Sequence, residues 1–181
     1  MTAYNPLHRL LHWLTALLIL CMAPVGFFMA DRGRANIWDD LTNQLYNWHK
    51  LIGFVVLLLV VTRFVSRAIN RAPAYPADMP RVMLGAAHAS HGLMYGLLLI
   101  IPLLGWAGVT AYPATVTVGG YHLPSMPLVQ QDPALAKQLF WLHGTAALAL
   151  LALVGVHIAA ALFHLIIKRD GVFQRMWPRR S

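Results

Sequence analysis

Glutamate is absent from this 181-residue chain, and the only acids are six aspartates, Asp31, Asp39, Asp40, Asp78, Asp132 and Asp170. All six fall in predicted loops or at helix margins. A proton pump or cation transporter usually carries a carboxylate among its spans, and no such group is present here. Charged residues make up only 11% of the chain and apolar residues 59%, against about 25% and about 45–50% in soluble domains. The single cysteine, Cys21, excludes an internal disulfide and an iron–sulfur ligand set, and suits plain packing. No C-x-x-C-H occurs, which excludes covalent haem attachment of the c type. No nucleotide-binding motif appears either.

Long apolar runs are plentiful. Four stand out, at about 10–30, 48–66, 92–111 and 139–167, each meeting the roughly 20 residues that cross a hydrocarbon core. The pattern predicts an all-α integral membrane four-helix bundle. Its helices cover roughly 7–30, 39–69, 81–110 and 133–168 of one domain, 1–181. The first run reads as a retained helix and not a signal peptide. Only Arg9 precedes it, no small-x-small cleavage site ends it, and it carries His12.

The net charge of +8 is explained by where the cations lie. Arg9, Arg63, Arg67, Arg71, Arg81, Lys168, Arg169, Arg175, Arg179 and Arg180 fall on one side of the predicted spans. Arg32, Arg34, Lys50 and Lys137 fall on the other. The positive-inside rule puts both termini in the cytoplasm and removes the case for a nucleic-acid surface. Trp38, Trp48, Trp106 and Trp141 mark the outer interface, and Trp13 and Trp177 the inner one, as aromatic belts do. The prolines of INRAPAYPADMP predict an irregular inner link. YPATVTVGGYHLPSMP predicts a long outer link with a brief β-like run. Pro24 and Pro102 fall inside apolar runs, where they can kink a helix.

Among the histidines within these runs, four sit at matched depths: His12, His49, His143 and His157. Ionisable rings inside a membrane are costly and usually functional. His143 and His157 are 14 residues apart. That spacing returns to within about 40° of the same helix face and separates the rings by about 21 Å along the axis. One metal cannot span that distance, but two haems stacked across the bilayer can. Depth then selects partners. The second helix enters from outside, so His49 shares the outer level with His143. The first enters from inside, so His12 shares the inner level with His157. Each pair offers two imidazoles to one iron, and bis-imidazole ligation favours electron transfer over gas binding.

Several other residues have two readings. Gly53, Gly144 and Gly155 either clear space for a flat macrocycle or serve ordinary helix contacts. His88 and His91 form H-x-x-H at the start of the third helix, where they are polar interfacial residues or hold a metal or a haem propionate. His164 continues the His143/His157 stripe and is either a partner for a quinone carbonyl or a packed or snorkelling side chain. Arg9, Arg63, Arg67 and Arg81 are candidates to pair with haem propionates or lipid phosphates. His8 and His122 are read as interfacial or loop residues without a ligand role.

The stretches LHRLLHWL, NWHKLIGFVVLLLVVTRF, AHASHGLMYGLLLIIPLLGW and LHGTAALALLALVGVHIAAALFH resemble the bacterial cytochrome b561 family of short four-helix diheme cytochromes. The resemblance covers nearly the whole chain. It implies two non-covalent haem b groups with axial ligands His12, His49, His143 and His157. It also implies a multi-pass protein of the bacterial inner membrane. The family includes a superoxide oxidase that passes electrons from periplasmic superoxide to ubiquinone. A similar superfamily relation to the cytochrome b subunits of hydrogenases and formate dehydrogenases implies the alternative, an anchor that accepts electrons from a periplasmic partner protein. Superoxide or another one-electron donor, quinone and membrane lipid are the expected partners. A histidine-ladder metal transporter ranks last, since no buried acid accompanies the rings. Purified protein is expected to hold two b haems per chain by pyridine haemochrome. A well-folded preparation without haem would remove the ligand assignment.

Overall fold

The structure is a computed structural model that describes residues 3–70, 73–75, 79–112, 117–118 and 121–177. Arg71, Asp78, Arg179 and Arg180, counted above in the charge pattern, lie outside the described residues. The chain forms four long helices: α1 (Pro6–Arg34), α2 (Asp40–Ile69), α3 (Arg81–Ala111) and α4 (Pro133–Leu162). All four are long and apolar enough to cross a membrane. α1 and α3 continue through Pro24 and Pro102.

Three of the starts are set by side chains that satisfy otherwise unpaired backbone N–H groups. Asn5 accepts from the Leu7 amide, and Pro6 occupies the first turn of α1. Asp132 accepts from the amides of Ala134 and Leu135, with Pro133 following it. Asp39 caps α2 by accepting from the Thr42 amide. That bond, with those from Arg32 and the Thr42 hydroxyl, holds the Asp39 carboxyl down at about 2.

α1 packs on α2, α2 on α3, and α3 most closely on α4. The buried face of α2 carries Val56, Leu57, Val60, Arg63 and Ser66, a helical spacing of three and four that keeps one stripe inward. Leu11 and Thr15 of α1 are also buried. Close approach of α3 to α4 is a glycine effect: a Cβ on Gly108 would stand 2.7 Å from the Phe140 ring.

Both ends of the bundle are tied by polar contacts. At one end, the outer one by the orientation the charge pattern predicts, Arg32 of α1 pairs with Asp39 and donates to the Thr42 hydroxyl at 2.7 Å. The Asp132 amide donates to the Ala111 carbonyl at 2.9 Å, joining the ends of α3 and α4. In the outer link the expected β-like run is a two-residue hairpin, β1 (Thr117–Val118) antiparallel to β2 (Tyr121–His122). At the other end, inner by the same predicted orientation, α4 widens into a π-helical turn, Phe163–Lys168. Arg169 and Gly171 then take positive φ, 51° and 75°, and turn the chain back under the bundle. There the Trp13 indole donates to the Met176 carbonyl at 2.8 Å, and Arg175 donates to the Ala74 carbonyl at 2.6 Å.

Gly108→Ala should cost about 1–3 kcal/mol by overpacking against Phe140. Gly85→Ala, with nothing within 4 Å of the added carbon, should cost nothing measurable. Unfolding midpoints of the two variants in detergent check the contrast.

Candidate haem sites

The four intramembrane histidines meet in two pairs. His49 of α2 and His143 of α4 have ring centroids 6.0 Å apart. His12 of α1 and His157 of α4 have centroids 6.3 Å apart. α4 supplies one member of each pair, yet its backbone makes few close approaches to α1 or α2. The rings reach across that gap.

This arrangement fits an iron held between imidazoles. A metal–imidazole bond is about 2 Å, and each ring nitrogen lies about 1 Å from its centroid, so an ion between two rings separates the centroids by about 6 Å. At the outer pair the His143 Nδ1 stands 2.9 Å from the Ile101 carbonyl. A carbonyl only accepts, so Nδ1 carries the proton and Nε2 keeps its lone pair for a metal. The His49 Nδ1 is buried with no hydrogen-bond partner. Among the described residues no group of three or more His, Cys or Asp side chains gathers around a bare ion, so the donor set suits a macrocycle that brings four equatorial ligands of its own.

Beside Gly53, Gly144 and Gly155 nothing lies within 4 Å of an added Cβ. They are therefore not helix contacts, and the space beside them is open. The glycines that touch the ring pairs are Gly26 and Gly105. A Cβ on Gly26 would meet His49 at 3.5 Å, and one on Gly105 would meet His143 at 3.2 Å. Gly105 lets the α3 backbone come close enough for Ile101 to accept from His143. The GWAG run at 105–108 was the signal in the sequence, but only the helix pairing says which ring it serves.

At the inner level more groups converge than the depth argument named. His91 of α3 has its ring 5.6 Å from that of His157, and its Nδ1 is 3.4 Å from the Tyr75 hydroxyl. His88 stands edge-on to Tyr75 at 5.2 Å. His8, near the start of α1, is buried, 4% exposed, and stacks on Tyr4 at 5.3 Å. The stack shields it from water.

Arg63 is 7% exposed. Its Nη2 lies 3.4 Å from the His12 Nδ1 and donates to the Tyr95 hydroxyl at 3.3 Å. Its Nε is buried without a partner, and among the described residues no carboxylate pairs with it. A buried guanidinium without a counter-charge is costly, and an anionic group carried by a ligand would relieve it. Arg67 lies over the Tyr95 ring at 5.7 Å. Arg9 donates to the Trp177 carbonyl at 3.0 Å while its Nε is buried without a partner, and Arg81 is exposed at the start of α3. His164 lies in the π-helical turn with its Nδ1 2.6 Å from an Asp170 carboxylate oxygen. Burial alone would raise the Asp170 carboxyl, but hydrogen bonds from His164 and the Val172 amide outweigh it and hold the group below its ordinary value.

Residues 3–179 match the family described as prokaryotic cytochrome b561. Cytochrome b561 homolog 2 of Escherichia coli K12 is 29% identical over 180 residues, covering 98% of this chain and 93% of that protein. A Yersinia pestis protein named probable superoxide oxidase is 26% identical over 183 residues, with 98% and 97% covered. Cytochrome b562 of Cereibacter sphaeroides is 28% identical over 186 residues, with 98% and 96% covered. A four-span helical protein with imidazoles paired between helices is a membrane electron carrier of the b-haem class. This chain belongs to the prokaryotic cytochrome b561 family, a multi-pass electron-transfer protein of the bacterial inner membrane.

Since His91 and His12 both face His157, one substitution at each separates the roles. His12→Ala should lose the inner haem, whereas His91→Ala should keep two haems per chain. Retention of both haems in His12→Ala with loss of one in His91→Ala would make His91 the ligand.

Proposed function

We propose that the chain, one domain over 1–181 with both termini cytoplasmic, carries electrons from a periplasmic one-electron donor to membrane quinone. The donor is superoxide, and the quinone is ubiquinone. The observation that carries this reading is the pair of facing imidazole sets at two depths, one toward each side of the membrane. His49 and His143 hold the outer haem b; His12 and His157 hold the inner one. The haems supply reversible one-electron storage at each level.

The residues of the chain do the rest. Ile101 fixes the His143 ring by accepting its Nδ1 proton, and Gly26 and Gly105 let the neighbouring backbones seat the outer rings. Arg63, with Arg67 behind Tyr95, offers positive charge to the inner propionates. Two superoxide anions each give up one electron and leave as dioxygen; one quinone takes both electrons and two protons and leaves as quinol. His164, whose Nδ1 is held by the Asp170 carboxylate, offers its Nε2–H to the quinone carbonyl at the inner face when the ring is protonated. The name of the Yersinia pestis relative supports the choice of superoxide. The second reading, a cytochrome b subunit for a periplasmic dehydrogenase or hydrogenase, has the family's wider membership behind it; stable co-purification of such a partner from native membranes would favour it.

Superoxide should reduce the haems of the purified protein as dithionite does, and quinol should form in stoichiometry of one per two superoxide. Reduction by dithionite but not by superoxide would rule the donor out. His164→Ala should keep two haems and slow quinone reduction at least tenfold; loss of a haem would make His164 a ligand instead.

A further inference from the structure

The two histidine levels are built alike in their ring spacing and differently in what stands behind the rings. Behind the outer pair the His143 Nδ1–H points at the Ile101 carbonyl, 2.9 Å away. An imidazole whose second nitrogen gives its proton to a carbonyl is a stronger donor to a bound metal. A stronger donor favours the more positive, ferric iron, and so lowers the reduction potential.

Behind the inner pair the partner has the opposite sign. The guanidinium of Arg63 faces the His12 Nδ1 at 3.4 Å. Arginine has only donors and stays charged at any accessible pH. A metal-bound His12, protonated on Nδ1, therefore has no acceptor in Arg63 and has a fixed cation facing it. Both effects disfavour the extra positive charge of ferric iron at this level. Burial sharpens the effect, since Arg63 is 7% exposed and no described carboxylate neutralises it. If a propionate pairs with Arg63, removing the arginine leaves that anion uncompensated, which favours ferric iron and lowers the potential just as loss of the cation alone does. The outer level has a cation of its own in Lys50, next to His49. Lys50 is only half-buried, near the outer end of α2, where water screens charge more effectively.

We infer that Arg63 makes the inner level the higher-potential one, with the Ile101–His143 bond holding the outer level lower, so that an electron shared between the two levels rests mainly at the inner one. The inference rests on the proposed pairing of His49 with His143 and His12 with His157. With haem bound at both levels, the charge of Arg63 would favour an electron at the inner level over the outer one. No proton moves at Arg63. The residue is thus a positioning residue for charge, acting through His12 and the field at the inner level.

Redox titration of the full-length, haem-loaded protein, followed by its visible spectrum, tests this, with a pyridine haemochrome count on each sample. Two one-electron components are expected. In Arg63→Met the higher component should fall so that the electron partition between levels shifts at least tenfold, which is 59 mV for one electron, while the lower component stays in place. An unmoved higher component with both haems retained, or movement of the lower component alone, would overturn the inference. His143→Ala and His157→Ala give an answer that does not depend on Arg63→Met folding. The first should keep only the inner haem and the second only the outer, with the higher midpoint in His143→Ala. The reverse order would refute the potential gradient. If instead neither substitution removes one haem, it is the ligand pairing that fails, which the haem count reports separately from the midpoints.

Discussion

The gap between α4 and the α1–α2 pair is the constraint on which this structure depends. α4 rests on α3 and stands off from the other two helices, so the imidazoles of His143 and His157 must reach across to His49 and His12. An apolar bundle would close such a gap by dispersion and packing. Here imidazole rings from the facing helices stand in the gap instead, with centroids 6.0 and 6.3 Å apart. The close contact is shifted to the other seam, where Gly105 and Gly108 bring α3 against α4.

Charge is distributed with the same economy. Polar groups inside a membrane are expensive, and each needs a partner or a function. The described aspartates lie at or beyond the helix ends. There Asp39 and Asp132 cap α2 and α4, Asp31 and Asp39 pair with Arg34 and Arg32, and Asp170 binds His164. The interior keeps a cation instead, Arg63, without a described acid to answer it. In a family that carries b-type haem, an uncompensated interior cation is consistent with an anionic cofactor completing the site.

The helix ends carry most of the polar structure because water and headgroups allow what hydrocarbon does not. The outer end is closed by the Arg32–Asp39–Thr42 contacts and by the Asp132–Ala111 bond. The inner end is closed by the returning C-terminal segment, through Trp13, Arg9 and Arg175. The π-helical turn at Phe163–Lys168 offsets the end of α4 just before that return, and it carries His164 to Asp170.

The sequence alone determined the four spans, since stretches of about twenty mostly apolar residues have few other fates in a chain with 11% charge. It also determined the shared face of His143 and His157, because helical periodicity is a local property of one segment. Depth matching of His49 and His12 needed only the direction in which each helix crosses. What stands next to those rings was decided by tertiary structure. Nothing local to α3 says that Ile101 would meet His143, that Gly105 would make room for it, or that His91 would turn toward His157. Nothing local to α2 says that Arg63 would lie beside His12, 51 positions away in the chain. Nor does the RDG segment announce that the chain will fold back to bind Arg9 and Trp13. These contacts depend on which helix packs against which, and on the rotation of each about its axis. Many weak packing terms summed over the whole bundle fix both, and no single stretch of sequence carries them.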